Sequence, residues 1–324
     1  MPTPPTTPAK PVTTDGTKIK INAAVLKRMC EVNQFKIPEG VDIVFFGIRG
    51  AIPEHNVYDK TFKYTTEANV ILREYNHKIF RCTMVQWLVK EGKVGLFLGS
   101  TVPGIGNVED ALEGKTSVNM MLTGYYGDYA KGFHNPRPAT RHQAFRQMAD
   151  HAVRRTKDDL TFEPTDPIDY GLQHDNIHAA FTNDVNKAPS ASHGCQIILG
   201  LPQCQKYAHN TSAWAIFLEK AYSYKAQQVV PYILFEGKDF LKYGVDLAAK
   251  TFVRLRFGSV GTVVEALQKA LAEKENKDLK ITKVFDIDTL KAVNSYLVKQ
   301  KRLDLEGVVG NLTATSLGVT LPQV

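Results

Sequence analysis

At 324 residues the chain is long enough for two domains and a sizeable core. Its 43% hydrophobic and 23% charged residues place it among globular proteins rather than fibrous or disordered ones. A net charge of +7 suits an anionic partner without choosing one. The basic residues are scattered and form no nucleic-acid motif, which argues against nucleic acid.

Residues 1–20 read as a Pro/Thr-rich extended arm that cannot bury a core by itself. It serves either as a free tail or as a docking arm on a larger assembly. Met1–Thr14 lacks the apolar core of an export signal, so synthesis in the cytoplasm without that route is expected. No apolar run approaches the length of a membrane span.

Residues 21–39 hold an N-terminal helix. Val25, Leu26, Met29 and Val32 share one face, and Asn22 is its cap. Val41–Gly47 reads as a strand that ends in a glycine turn. A β-meander is expected over Asn69–Phe97, with an alternating strand at Lys78–Val85. Val118–Tyr125 reads as another strand, followed by a loop from Tyr126 to Arg141. Arg137, Arg141, Arg146, Arg154 and Arg155 make this region arginine-dense. They form either solvated faces or a lip that grips carboxylates. Ala213–Tyr222 reads as a helix and Val229–Glu236 as a strand, giving a mainly β domain over 40–240.

Within it lies Ser190–Gly200, S-A-S-H-G-C-Q-I-I-L-G. Cys195 follows Ser192, His193 and Gly194, and His178 stands seventeen positions upstream. A cysteine becomes a nucleophile when an imidazole takes its proton or stabilises its thiolate. Ile197-Ile198-Leu199 reads as a buried strand holding the thiol at a rigid edge. None of the four cysteines (Cys30, Cys82, Cys195, Cys204) shows zinc-finger or C-x-x-C spacing, and Cys204 reads as a packing residue. A separate reading uses His174, His178 and His193 as zinc ligands.

The Ser-His-Gly-Cys stretch resembles the signature of the L,D-transpeptidase catalytic domain. The resemblance implies a β-sandwich with Cys195 as acyl-forming nucleophile, His178 as its base and His193 as a second imidazole. Gly194 and Ser192, with Arg137 and Arg141, would place the substrate and its oxyanion, and no cofactor or metal would be needed. Two features depart from the family. The spacing from His178 to Ser192 is one residue short, and Ile197 stands where Asn or Arg is usual.

Residues 252–320 have a different texture and read as a small all-α, three-helix domain. Val264, Leu267 and Leu271 line one helix, Leu290, Val293, Leu297 and Val298 a second, and Asn311–Leu317 forms a third. The pattern around Val264, Gln268, Thr289, Gly307, Gly310 and Thr313 resembles the common peptidoglycan-binding module, with Glu306 and Asp286 as departures. Together the two resemblances imply a cysteine enzyme acting on peptidoglycan stem peptides, as peptidase or transpeptidase. Such an enzyme would act at the bacterial wall and suits delivery by a phage or phage-like particle. The alternative is an inactive wall-docking part of such a particle.

Overall fold

The computed structural model describes residues 15–156, 158–302 and 305–324. Most of the expected arm lies outside these residues. Its end does not, because Lys18–Asn22 is a strand with Ile19 and Ile21 turned inward. It pairs antiparallel with Glu67–Leu72, which pairs in turn with Ala51–Pro53. The N-terminal helix is shorter than 21–39 and spans Ala23–Val32. Asn22 Oδ1 accepts the Val25 N–H at 2.9 Å and so supplies the cap.

Eight strands form a closed barrel rather than two separate facing sheets, and the other described strands form smaller sheets outside it. Its order is Ile177–Ala179, Gln196–Ile198, Lys93–Ser100, Cys82–Leu88, Ile43–Arg49, Val229–Glu236, Gly124–His134 and His142–Arg146. Closure rests on one pair, Ile177 with Phe145. Two neighbouring pairs are parallel: Ile177–Ala179 with Gln196–Ile198, and Val229–Glu236 with Ile43–Arg49.

The central strands are covered on both faces. Phe45, Met84 and Phe97 point to one cluster, which the helix Ser212–Ser223 completes with Trp214 and Phe217. Phe46, Val85 and Leu96 point to a second cluster under the N-terminal helix. Each such side chain contributes about 2 kcal/mol by leaving water. Strands buried on both faces read as continuous apolar runs. The expected alternating strand at Lys78–Val85 is therefore displaced to Cys82–Leu88, all of whose residues are buried. Lys78 and Ile79 instead donate their N–H groups to Asn76 Oδ1 in a turn.

The expected loop over Tyr126–Arg141 is largely wrong. Gly124–His134 is one long strand, and only Met120–Met121 of the expected Val118–Tyr125 strand precedes it. A register shift explains the misreading. Tyr126 pairs with Tyr232 and Tyr129 with Val230, so the Gly124–His134 strand carries one extra residue there. That bulge buries two tyrosines three apart and erases the two-residue period.

Three helices follow at the C-terminal end, Thr262–Lys274, Ile287–Lys299 and Asn311–Leu317. Val264, Leu267, Leu271, Leu290, Val293 and Leu297 are buried among them, whereas Val298 is 52% exposed. Their core also takes in Leu122 and Ala152 from the preceding part of the chain. Among the described residues no helix is long and apolar enough to cross a membrane.

Candidate active site

Cys195 sits at the head of the strand Gln196–Ile198, where the chain turns in from Ser190. The turn is tied down from several sides. Ser192 Oγ donates to the Cys195 carbonyl at 2.8 Å, and Gly104 N–H donates to the Ser192 carbonyl at 3.1 Å. Asn107 Nδ2 donates to the Ser190 and Ser192 carbonyls. The Asn119 N–H donates to the His193 carbonyl at 2.8 Å. Gly194 is required by close approach, since a Cβ there would stand 2.3 Å from Asn119 Oδ1. Ser192 is fully buried, so it holds the turn and does not reach substrate.

The parallel pairing of Ile177–Ala179 with Gln196–Ile198 brings His178 to the thiol. His178 Nδ1 donates to the Ala179 carbonyl at 2.8 Å. Its Nε2 is buried with no hydrogen-bond partner, and that nitrogen carries the lone pair. A second imidazole, His134, stacks on it at 4.0 Å between ring centroids and 10° between planes. Here the proton sits at the other end. Asn176 Oδ1 accepts the Gln147 N–H, which turns Asn176 Nδ2 to donate to His134 Nδ1 at 2.9 Å. Neutral His134 therefore carries its proton on Nε2.

Cys195 Sγ and one ring nitrogen each of His134 and His178 lie within 4.8 Å of one another. That spacing is close to what a soft metal could draw together. Yet one His134 nitrogen accepts from Asn176 and the other bears a proton, so neither is free to ligate. The cluster is better matched to acid–base work: a thiol, an acceptor and a donor. The zinc set His174, His178 and His193 is not assembled, and where a helix face shared by His174 and His178 was needed there is an irregular segment followed by a strand. His174 and His193 are exposed, while His178 is buried.

The thiol opens into a cavity of about 260 Å³ that includes His134, His174, Asp175, His193 and Arg155. Cys195 is half-buried and its Sγ–H points to the His174 carbonyl at 3.5 Å. Burial pushes its thiol well above the ordinary range, and the Asp175 carboxylate adds to the rise. Burial, reinforced by His134 and His142, holds His178 well below the ordinary imidazole range. His134 is drawn down to about 4 by burial and by His142. Burial lifts the Asp175 carboxyl to about 6, against the Asn119 side chain that favours its charge. At neutral pH the thiol, His134 and His178 rest uncharged.

Several expected residues fall elsewhere. Arg137 and Arg141 do not line the cavity; Arg141 lies over the Phe133 ring. Arg155 takes the place assigned to them, braced by Asp169 at 3.0 Å and Gln173. Ile197 is fully buried core. His134, Asp175, Asn119 and Arg155 were not singled out in these roles from sequence. The Gln173–His178 run and the arginine density pointed at their neighbourhood only.

In the C-terminal unit three of the five motif residues have structural roles. Gln268 is fully buried and donates to Thr282, Val284 and Thr289. Thr289 is buried beside the helix cap Asp286, and Gly307 has a left-handed φ of 72°. Gly310 and Thr313 alone reach a groove, of about 410 Å³, beside Tyr243 and Phe252. Comparison with family models, curated proteins and solved structures found no match.

Proposed function

We propose that this chain is a cysteine enzyme acting by acyl transfer on peptidoglycan stem peptides, as an L,D-carboxypeptidase, endopeptidase or transpeptidase. The observation that carries the reading is the buried, unpartnered Nε2 of His178 beside a cavity-facing thiol. In the proposed step, Cys195 Sγ bonds to the substrate carbonyl carbon as its proton passes to His178 Nε2. The carbonyl oxygen takes the electron pair, steadied by the Gly194 and Cys195 N–H groups. Collapse breaks the C–N bond, and the leaving amine takes the proton back. Water or a second amine then releases the acyl group. Because the pair rests neutral, proton transfer accompanies attack rather than preceding it.

Peptidoglycan is supported as substrate by the Ser-His-Gly-Cys motif and by the helical unit beside it. A second reading, a wall-docking part without turnover, is favoured by the raised thiol, which disfavours the reactive thiolate. Mass spectrometry of muropeptides incubated with the protein and with Cys195→Ala separates the two. Turnover by the parent and none by the variant supports the enzyme. No turnover by either, with wall binding kept by both, supports the docking part.

A further inference from the structure

A second cavity, of about 250 Å³, lies where the ends of the barrel strands Ile43–Arg49 and Val229–Glu236 meet the strand pair Leu255–Arg256 and Val308–Val309 of the C-terminal unit. Three of the cations lining it have carboxylate partners. Arg49 meets Glu236 at 3.0 Å, Arg256 meets Asp239 at 3.0 Å, and Lys238 meets Glu306 at a looser 3.8 Å. Two further cations on its wall, Arg154 and Arg254, make no ion pair among the described residues. Five cations against three anions leave the lining with a formal charge of +2.

Arg154 is 3% exposed, yet only carbonyls receive its hydrogen bonds. Nη1 donates to Pro164 at 2.7 Å and Asp166 at 2.8 Å, and Nη2 donates to Leu305. The Asp166 and Glu306 carboxylates act on it only from beyond ion-pair reach. A guanidinium buried without a counter-charge is costly, and a bound anion would offset that cost. Arg254 lines the same cavity. Its Nη1 donates to the Tyr243 hydroxyl at 2.8 Å, and its guanidinium lies 5.3 Å from the centre of that ring.

We infer that this cavity binds an oxyanion group, a phosphate or a carboxylate, gripped between Arg154 and Arg254. Guanidinium forks match both groups in geometry and charge. Arg154 closes the strand His151–Arg154, and Arg254 precedes the strand Leu255–Arg256. The anion therefore braces the small sheet that holds His151–Arg154 against the C-terminal unit. The cavity shares Arg254, Glu306 and Val308 with the neighbouring groove, where Phe252 is 40% exposed and Leu312 80%. That continuity leaves room for the rest of a larger molecule carrying the group. The inference stands whether or not the thiol site turns over peptidoglycan.

The test is calorimetric titration of the full chain with inorganic phosphate and with succinate, ionic strength held with sodium chloride, alongside thermal melting. Saturating phosphate or succinate is expected to raise Tm by several degrees, which chloride does not. Arg254→Gln is expected to weaken binding at least about tenfold with little change in the unliganded Tm. Arg154→Lys keeps the charge, loses the fork and serves as the second variant. Poly(glycerol phosphate) binding about tenfold tighter than inorganic phosphate points to a polymer-borne group, and equal binding to a free anion. No response to either small anion, or the same response in the parent and both variants, overturns the inference.

Discussion

His178 and His134 lie ring on ring at 4.0 Å yet present opposite faces of the same chemistry: the first offers a lone pair, the second a proton. The difference is set outside the rings, by the Ala179 carbonyl and by the Asn176 amide. One thiol is therefore flanked by a base and by a hydrogen-bond donor, each locked in its tautomer. The first prediction concerns the donor. His134→Phe keeps the stacked shape and removes the N–H. Turnover of muropeptides should fall about tenfold to a thousandfold, with unfolding and Cys195 alkylation little changed. An unchanged kcat would make His134 a packing residue.

The thiol itself can be probed without any substrate. Because burial and Asp175 raise its pKa, Cys195 should react with iodoacetamide more slowly at neutral pH than a free thiol does. Its rate should go on rising above the pH at which an ordinary cysteine levels off. Asp175→Asn removes the neighbouring charge and should speed the reaction at pH values above about 6, where the parent carboxyl is ionised. A plateau below pH 7, about one and a half units under the ordinary thiol value, would show a preformed thiolate instead.

Asp175 also ties stability to pH. Its carboxyl is fully buried in the fold and lifted from 3.8 to about 6. Its contribution is full below the unfolded value and is lost as pH rises through about 6. Asp175→Asn should therefore gain on the parent between pH 4 and 7, by up to about 3 kcal/mol, and show no such gain in acid. Denaturant unfolding at several pH values reads this out.

Gly194 and Asn119 form a tight couple. Gly194→Ala places a methyl 2.3 Å from Asn119 Oδ1, inside the turn that presents the thiol. The substitution should cost about 1–3 kcal/mol and displace Cys195 from His178. Adding Asn119→Ala should recover much of the loss in stability. A strictly additive double variant would mean that the two side chains do not meet.

The thiol and its first imidazole were legible because their signal is local. Ser192, His193, Gly194 and Cys195 are consecutive, and the apolar Ile197-Ile198 behind them forms the buried strand expected. The helix Ser212–Ser223, the strand Val229–Glu236 and the helix Asn311–Leu317 were also legible from period and length. His134 was not, because it ends a strand whose Gly and Tyr content reads as loop and whose bulge hides the period. Asp175, Asn119 and Arg155 reach the site from separate segments. Only tertiary closure brings them together. Arg137 and Arg141 misled for the converse reason: arginine density marks a surface, not the direction of a side chain.

Leu122 and Ala152 sit in the same apolar cluster as the C-terminal helices, and Arg28 Nη2 donates to the Val324 carbonyl at 2.8 Å. Cutting the chain near residue 250 would thus strip cover from the first half and leave the second without part of its filling. Neither fragment inherits a complete interior. Any substitution that loosens the far helices should also be felt in the framework that steadies the thiol.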